Sequence, residues 1–142
     1  MLAATLTRRT LALLAAVALG GLGCADDTNI REFSVDDVTK LVDPARKRSG
    51  ASAQIYDTNG DKIRKEYGVI PGSKLLDDAG GYDLARLPAE RATTLIFYCS
   101  STWCSAAKTA ARRARDAGYG DVGVLPVGIK GWKASGQPVE AI

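Results

Sequence analysis

The sequence predicts an α/β domain built on a small, mostly parallel central sheet flanked by helices. Three observations lead there. Thr94-Leu-Ile-Phe-Tyr98 is apolar on both faces, as expected of a strand covered by helices on each side. An alanine-rich segment from Ser105 places Ala107, Ala110, Ala111, Ala114 and Ala117 along one helical face, with Gly118 as its stop. Val122-Gly-Val-Leu125 follows at the spacing of a strand–helix–strand unit, which favours parallel pairing.

The other elements follow in chain order. Arg8 and Arg9 precede an apolar run, Leu11 to Leu19, that ends in Gly20-Gly-Leu-Gly-Cys24. A basic start, a short apolar stretch and small residues at its end describe an export signal, taken here as residues 1–23. The run falls short of the roughly 20 apolar residues that span a bilayer. Cys24 stands where a bacterial lipoprotein signal is cut and lipidated, so a lipid anchor at Cys24 and a periplasmic or cell-envelope location are expected. Residues 24–33 read as a polar tether and 34–139 as one domain. Ser34-Val-Asp-Asp37 opens a helix with a capping box, and Asp43-Pro44 closes it. Ala53 to Tyr56 reads as a strand running into the turn residues Asp57-Thr-Asn-Gly60. A short polar helix over 62–67, a short strand at 74–76 and an irregular stretch over 77–93 complete the list.

Composition narrows the chemistry. The chain has 142 residues, enough for one small domain. Its net charge is +3, and two of those charges sit at Arg8 and Arg9, so no nucleic-acid partner is implied. There is no histidine, which excludes Ser–His and Cys–His catalysis and every His-ligated metal site. No metal or organic cofactor is expected. Gly118-Tyr-Gly-Asp-Val-Gly123 matches a dinucleotide fingerprint only in letters, because it follows a helix and precedes a strand.

One constellation stands out. Cys99 follows the central strand, and Ser100, Ser101, Thr102, Trp103, Cys104 and Ser105 lead into the alanine-rich helix. A thiol at the carboxyl end of a central strand faces the crevice where open α/β sheets bind ligands. The free amides and dipole of a helix N-terminus favour its thiolate, so Cys99 is the candidate nucleophile. The loop amides are a candidate cradle for an anion, with Lys108 and Asp57 in supporting roles. Cys104 either packs a serine-sized site or acts as a resolving thiol toward Cys99. Trp132 is expected in the core. Trp103 is expected either to wall the pocket or to pack on the helix.

Several segments in order resemble the rhodanese-like family. These are Ile55-Tyr-Asp57, Glu66-Tyr-Gly-Val-Ile-Pro-Gly-Ser73, Leu95-Ile-Phe-Tyr-Cys99 with its six-residue loop, Gly118-Tyr119, and Gly128-Ile-Lys-Gly-Trp132 followed by Gly136-Gln-Pro138. The resemblance implies the three-layer rhodanese-like fold and sulfur transfer through a Cys99 persulfide. It also implies a small anionic sulfur donor and a thiol or cyanide acceptor. Asn59 and Val69 stand where family members often carry Arg and His, and the loop has no cationic side chain. Two other readings stay open: a non-catalytic binding module using the same cradle, and a thiol redox protein using Cys99 and Cys104.

Overall fold

The structure, a computed structural model, describes residues 30–45 and 53–142. Five parallel strands form one sheet in the order β1-β5-β4-β2-β3. They are β1 (Arg31–Glu32), β2 (Ala53–Asp57), β3 (Lys74–Leu75), β4 (Thr94–Tyr98) and β5 (Val122–Leu125). Four α-helices lie wholly within the described residues: α1 (Val35–Val42), α2 (Asp61–Tyr67), α3 (Ala106–Asp116) and α4 (Gly128–Ala134). None of these is long and apolar enough to cross a membrane. The export signal and Cys24 lie outside the described residues.

β4 shows how the pattern makes the layers. Its side chains alternate between faces, and both faces are buried. Leu95 and Phe97 enter a core with the buried alanines of α3 and with Tyr82 and Leu87. Ile96 and Tyr98 enter a second core with Val38 of α1, Ile70, Ile129 and Trp132. The result is helix, sheet, helix. Ala107, Ala110, Ala111 and Ala114 let α3 approach the sheet closely, as the sequence predicts. The capping box of α1 is complete: Asp37 N–H donates to Ser34 Oγ at 3.1 Å, and Ser34 N–H to Asp37 Oδ2 at 3.0 Å.

Two elements were not legible in the sequence. β1 and Phe33 fall inside the expected tether yet belong to the fold. Arg31 and Glu32 pair with Gly123 and Val124 at the sheet edge, and Phe33 is buried. The partner position must be glycine, because a Cβ on Gly123 would run into the Arg31 carbonyl and the Phe33 ring. The tether reading at 31–33 is therefore corrected. α4 covers a stretch that local pattern left unassigned, and it carries the buried Trp132, whose Nε1 donates to Pro138 O at 2.8 Å. The strand expected at 74–76 stops at Leu75, and Leu76 turns into the core. The irregular 77–93 segment holds one 3-10 turn, Leu84–Arg86.

Candidate functional site

The carboxyl edge of the sheet is organised by a buried cation. Asp57, at the end of β2, is 0% exposed. Its Oδ1 accepts from Asn59 N–H at 2.8 Å and from Arg64 Nε at 3.0 Å, and its Oδ2 from Asn59 Nδ2 at 3.2 Å. Arg64, on α2, is only 2% exposed and also donates to Asp77 Oδ1 at 2.8 Å and to Leu76 O at 3.1 Å. Burial alone would lower the Arg64 pKa, but hydrogen bonds and charge from Asp77 and Asp57 outweigh it and raise it. One guanidinium thus ties β2, α2 and the chain after β3 together. Asn59 and Arg64 both donate to the Asp57 carboxylate, and these hydrogen bonds build the frame rather than reach Cys99.

Asp77 reports on that frame through pH. The Arg64 hydrogen bond, then its charge, holds the Asp77 carboxyl below the usual range. A lowered folded pKa means stabilisation that is complete above the unfolded carboxylate value of about 3.9 and lost as pH falls through the folded value. Asp77→Asn is therefore expected to lower the urea midpoint at neutral pH. The gap to the parent protein should close as the solution is acidified below about pH 4. A gap that persists unchanged in acid would show that the ion pair is not its source.

The loop after β4 holds the other half of the site. Cys99 is 4% exposed and joins the core on the α3 side. Its sulfur is bonded to Cys104 in a disulfide, with the two Cα atoms 6.1 Å apart. Cys104 is more accessible than Cys99, and Trp103 beside it is 95% exposed. Trp103 therefore neither walls the pocket nor packs on α3. Ser100 Oγ lies 4.0 Å from Cys99 Sγ. The Cys104 amide is committed to Ser101 O at 3.1 Å and so does not face the Cys99 sulfur. Among the described residues, the amides of Ser101, Thr102 and Trp103 donate to no protein acceptor.

The root of the loop is clamped from below. Ile129 N–H donates to Cys99 O at 2.9 Å, and Lys130 N–H to Ser100 O at 3.1 Å. Two otherwise unpaired amides of the α4 N-terminus are thereby satisfied by the loop. The approach requires a glycine: Gly128 has φ +61°, and a Cβ there would lie 2.5 Å from Cys99 O. At the same end of β4, Tyr98 Oη accepts from Ile70 N–H at 3.0 Å and pairs with Ser73 Oγ at 3.1 Å.

A cleft of about 310 Å³ opens over the disulfide, lined by Cys99, Ser101, Thr102, Cys104, Lys108 and Glu32 among others. Lys108 stands 4.0 Å from Glu32, so its charge is partly countered. Sequence reasoning brought Cys99, the loop and Lys108 to one place. It missed Glu32, assigned to the tether, and Arg64, which looks like one more solvated cation on a polar helix. Asp57 and Asp77 flanking Arg64 in sequence were the only signal for the latter. Among the described residues, no group of three His, Cys, Asp or Glu side chains could hold a metal.

These features place the chain among open parallel α/β domains with a cysteine at the carboxyl edge of the central strand. More narrowly, the chain belongs to the rhodanese-like domain family, whose model matches residues 41–135. Similar solved structures agree. A protein from Bacillus halodurans is 20% identical with TM-score 0.63, covering 78% of this chain and 76% of that one. A thiosulfate sulfurtransferase from Pseudomonas aeruginosa is 22% identical with TM-score 0.61, covering 79% of this chain but 20% of that one. A protein of unknown function from Rhodopseudomonas palustris, described as a possible tyrosine phosphatase, is 21% identical with TM-score 0.61, covering 80% and 87%. At these identities the likeness shows the fold alone. No curated protein matches at a significant level.

Proposed function

We propose that the protein is an exported sulfurtransferase, held at the cell envelope through Cys24. It takes a sulfane sulfur from a small anionic donor such as thiosulfate and carries it as a Cys99 persulfide to a thiol or cyanide acceptor. The observation that carries this reading is the position of Cys99: at the carboxyl end of the central strand, at the floor of a cleft, within bonding reach of another sulfur. Family membership supports it.

The chemistry begins with the opened disulfide. Reduction leaves a Cys99 thiolate beside the α3 N-terminus, where amides favour negative charge. The thiolate attacks the outer sulfur of thiosulfate, and sulfite leaves with the bonding pair. The free amides of Ser101, Thr102 and Trp103 are available for the anionic donor, and the Cys104 amide joins them once its turn relaxes. Ser100 and Ser105 add the ends of the cradle. Lys108 supplies a positive side chain to the lining of the cleft, tempered by Glu32.

Reduction should therefore gate activity. Protein freed of its disulfide and mixed with thiosulfate is expected to release sulfite at the first turnover, whereas the oxidised protein releases none. Sulfite release at the same rate from both forms would defeat the assignment of Cys99.

The disulfide also favours a second reading, a thiol redox protein that cycles Cys99 and Cys104 without carrying sulfur. That reading predicts no sulfite release from either form.

A further inference from the structure

The Cys99–Cys104 bond says what happens to a sulfur once Cys99 has taken it. We propose that the protein is a sulfane-sulfur reductase: Cys104 expels the carried sulfur as free sulfide, and a dithiol reductant resets the pair. This rests on the sulfur-transfer reading and goes further, because it names the product and the class of partner.

Three observations carry it. Cys104 is close enough to Cys99 for their sulfurs to bond within the folded loop. A thiol that reaches the Cys99 sulfur directly also reaches the inner sulfur of a Cys99 persulfide. The two cysteines differ in access, Cys99 being nearly sealed and Cys104 partly open. Trp103, fully presented to solvent next to Cys104, offers an apolar contact for a partner that approaches this sulfur.

The Cys104 thiol loses its proton, and its sulfur attacks Cys99 Sγ. The bond between Cys99 Sγ and the carried sulfur breaks, and that sulfur departs with the electron pair as hydrosulfide. The sulfane sulfur is reduced by two electrons, and the two cysteines are oxidised to their disulfide. A dithiol then attacks the accessible Cys104 sulfur, and the Cys99 thiolate leaves. The second thiol of the reductant breaks the mixed disulfide, frees Cys104 and becomes a disulfide itself. No histidine is needed at any point, and the chain has none.

The test follows the sulfur through one turnover. Full-length protein is reduced, stripped of reductant and mixed with thiosulfate; sulfite, sulfide and the intact mass are read together. The expected result is sulfite and sulfide in equal amounts, with protein returned to the Cys99–Cys104 disulfide and resistant to alkylation. Cys104→Ser is expected to release sulfite, lose sulfide release and hold one added sulfur on Cys99. If the unmodified protein instead retains the added sulfur while Cys104 stays open to alkylation, the inference falls and sulfur transfer stands. Absence of sulfite release defeats both. The measurement on the unmodified protein decides the matter even if the variant does not fold.

Discussion

Cys99→Ser is expected to lower sulfite release from thiosulfate by more than about a thousandfold, or ~4 kcal/mol in activation free energy. The serine hydroxyl has the right shape but stays protonated, and no histidine stands by to activate it. The comparison must be made with reduced parent protein. The substitution also removes the disulfide, which closes a loop of only five residues' separation. By chain-entropy reasoning that crosslink stabilises the folded state by about 2 kcal/mol. Reduced parent and variant should therefore melt together while differing in chemistry. Undiminished sulfite release by the variant would remove Cys99 from the reaction.

The largest stability effect is expected at Arg64. Arg64→Ala should cost about 3–5 kcal/mol, because it leaves the buried Asp57 carboxylate without its cation. For a domain of this size that lowers Tm by roughly 10–20 °C. Arg64→Lys should restore little, since one ammonium cannot serve Asp57, Asp77 and the Leu76 carbonyl from a single planar fork. Pairing Arg64→Ala with Asp57→Asn should recover part of the loss by discharging the stranded group. Thermal melts of the three variants check this. Equal losses in the single and double variants would place the cost in packing instead.

The parts of the fold that were legible are those whose causes are local. β4 announces itself by the unbroken apolar run Leu95 to Tyr98, α3 by its alanine spacing, and α1 by a capping box. β1 is different: two polar-looking residues pair as a strand with a segment far away in the chain, where Gly123 leaves room beside Arg31. α4 begins at a glycine in a left-handed conformation and is too short to show a clear stripe. Within the site, Cys99 was legible because a strand, a polar loop and a helix follow one another without interruption. The burial of Arg64 was not, since it depends on three backbone segments that meet only in the folded chain. The pairing of Cys99 with Cys104 was left open for a similar reason, because five-residue spacing permits a bond without requiring one.

The clamp that α4 places on the carbonyls of Cys99 and Ser100 divides the loop into two zones. Its base is anchored to the scaffold, whereas Thr102 and Trp103 at the tip are exposed and contribute to neither core. If the proposed sulfur transfer holds, substitutions at the tip are expected to change what approaches the cleft, while Cys99 keeps its place on a foundation that does not notice the exchange.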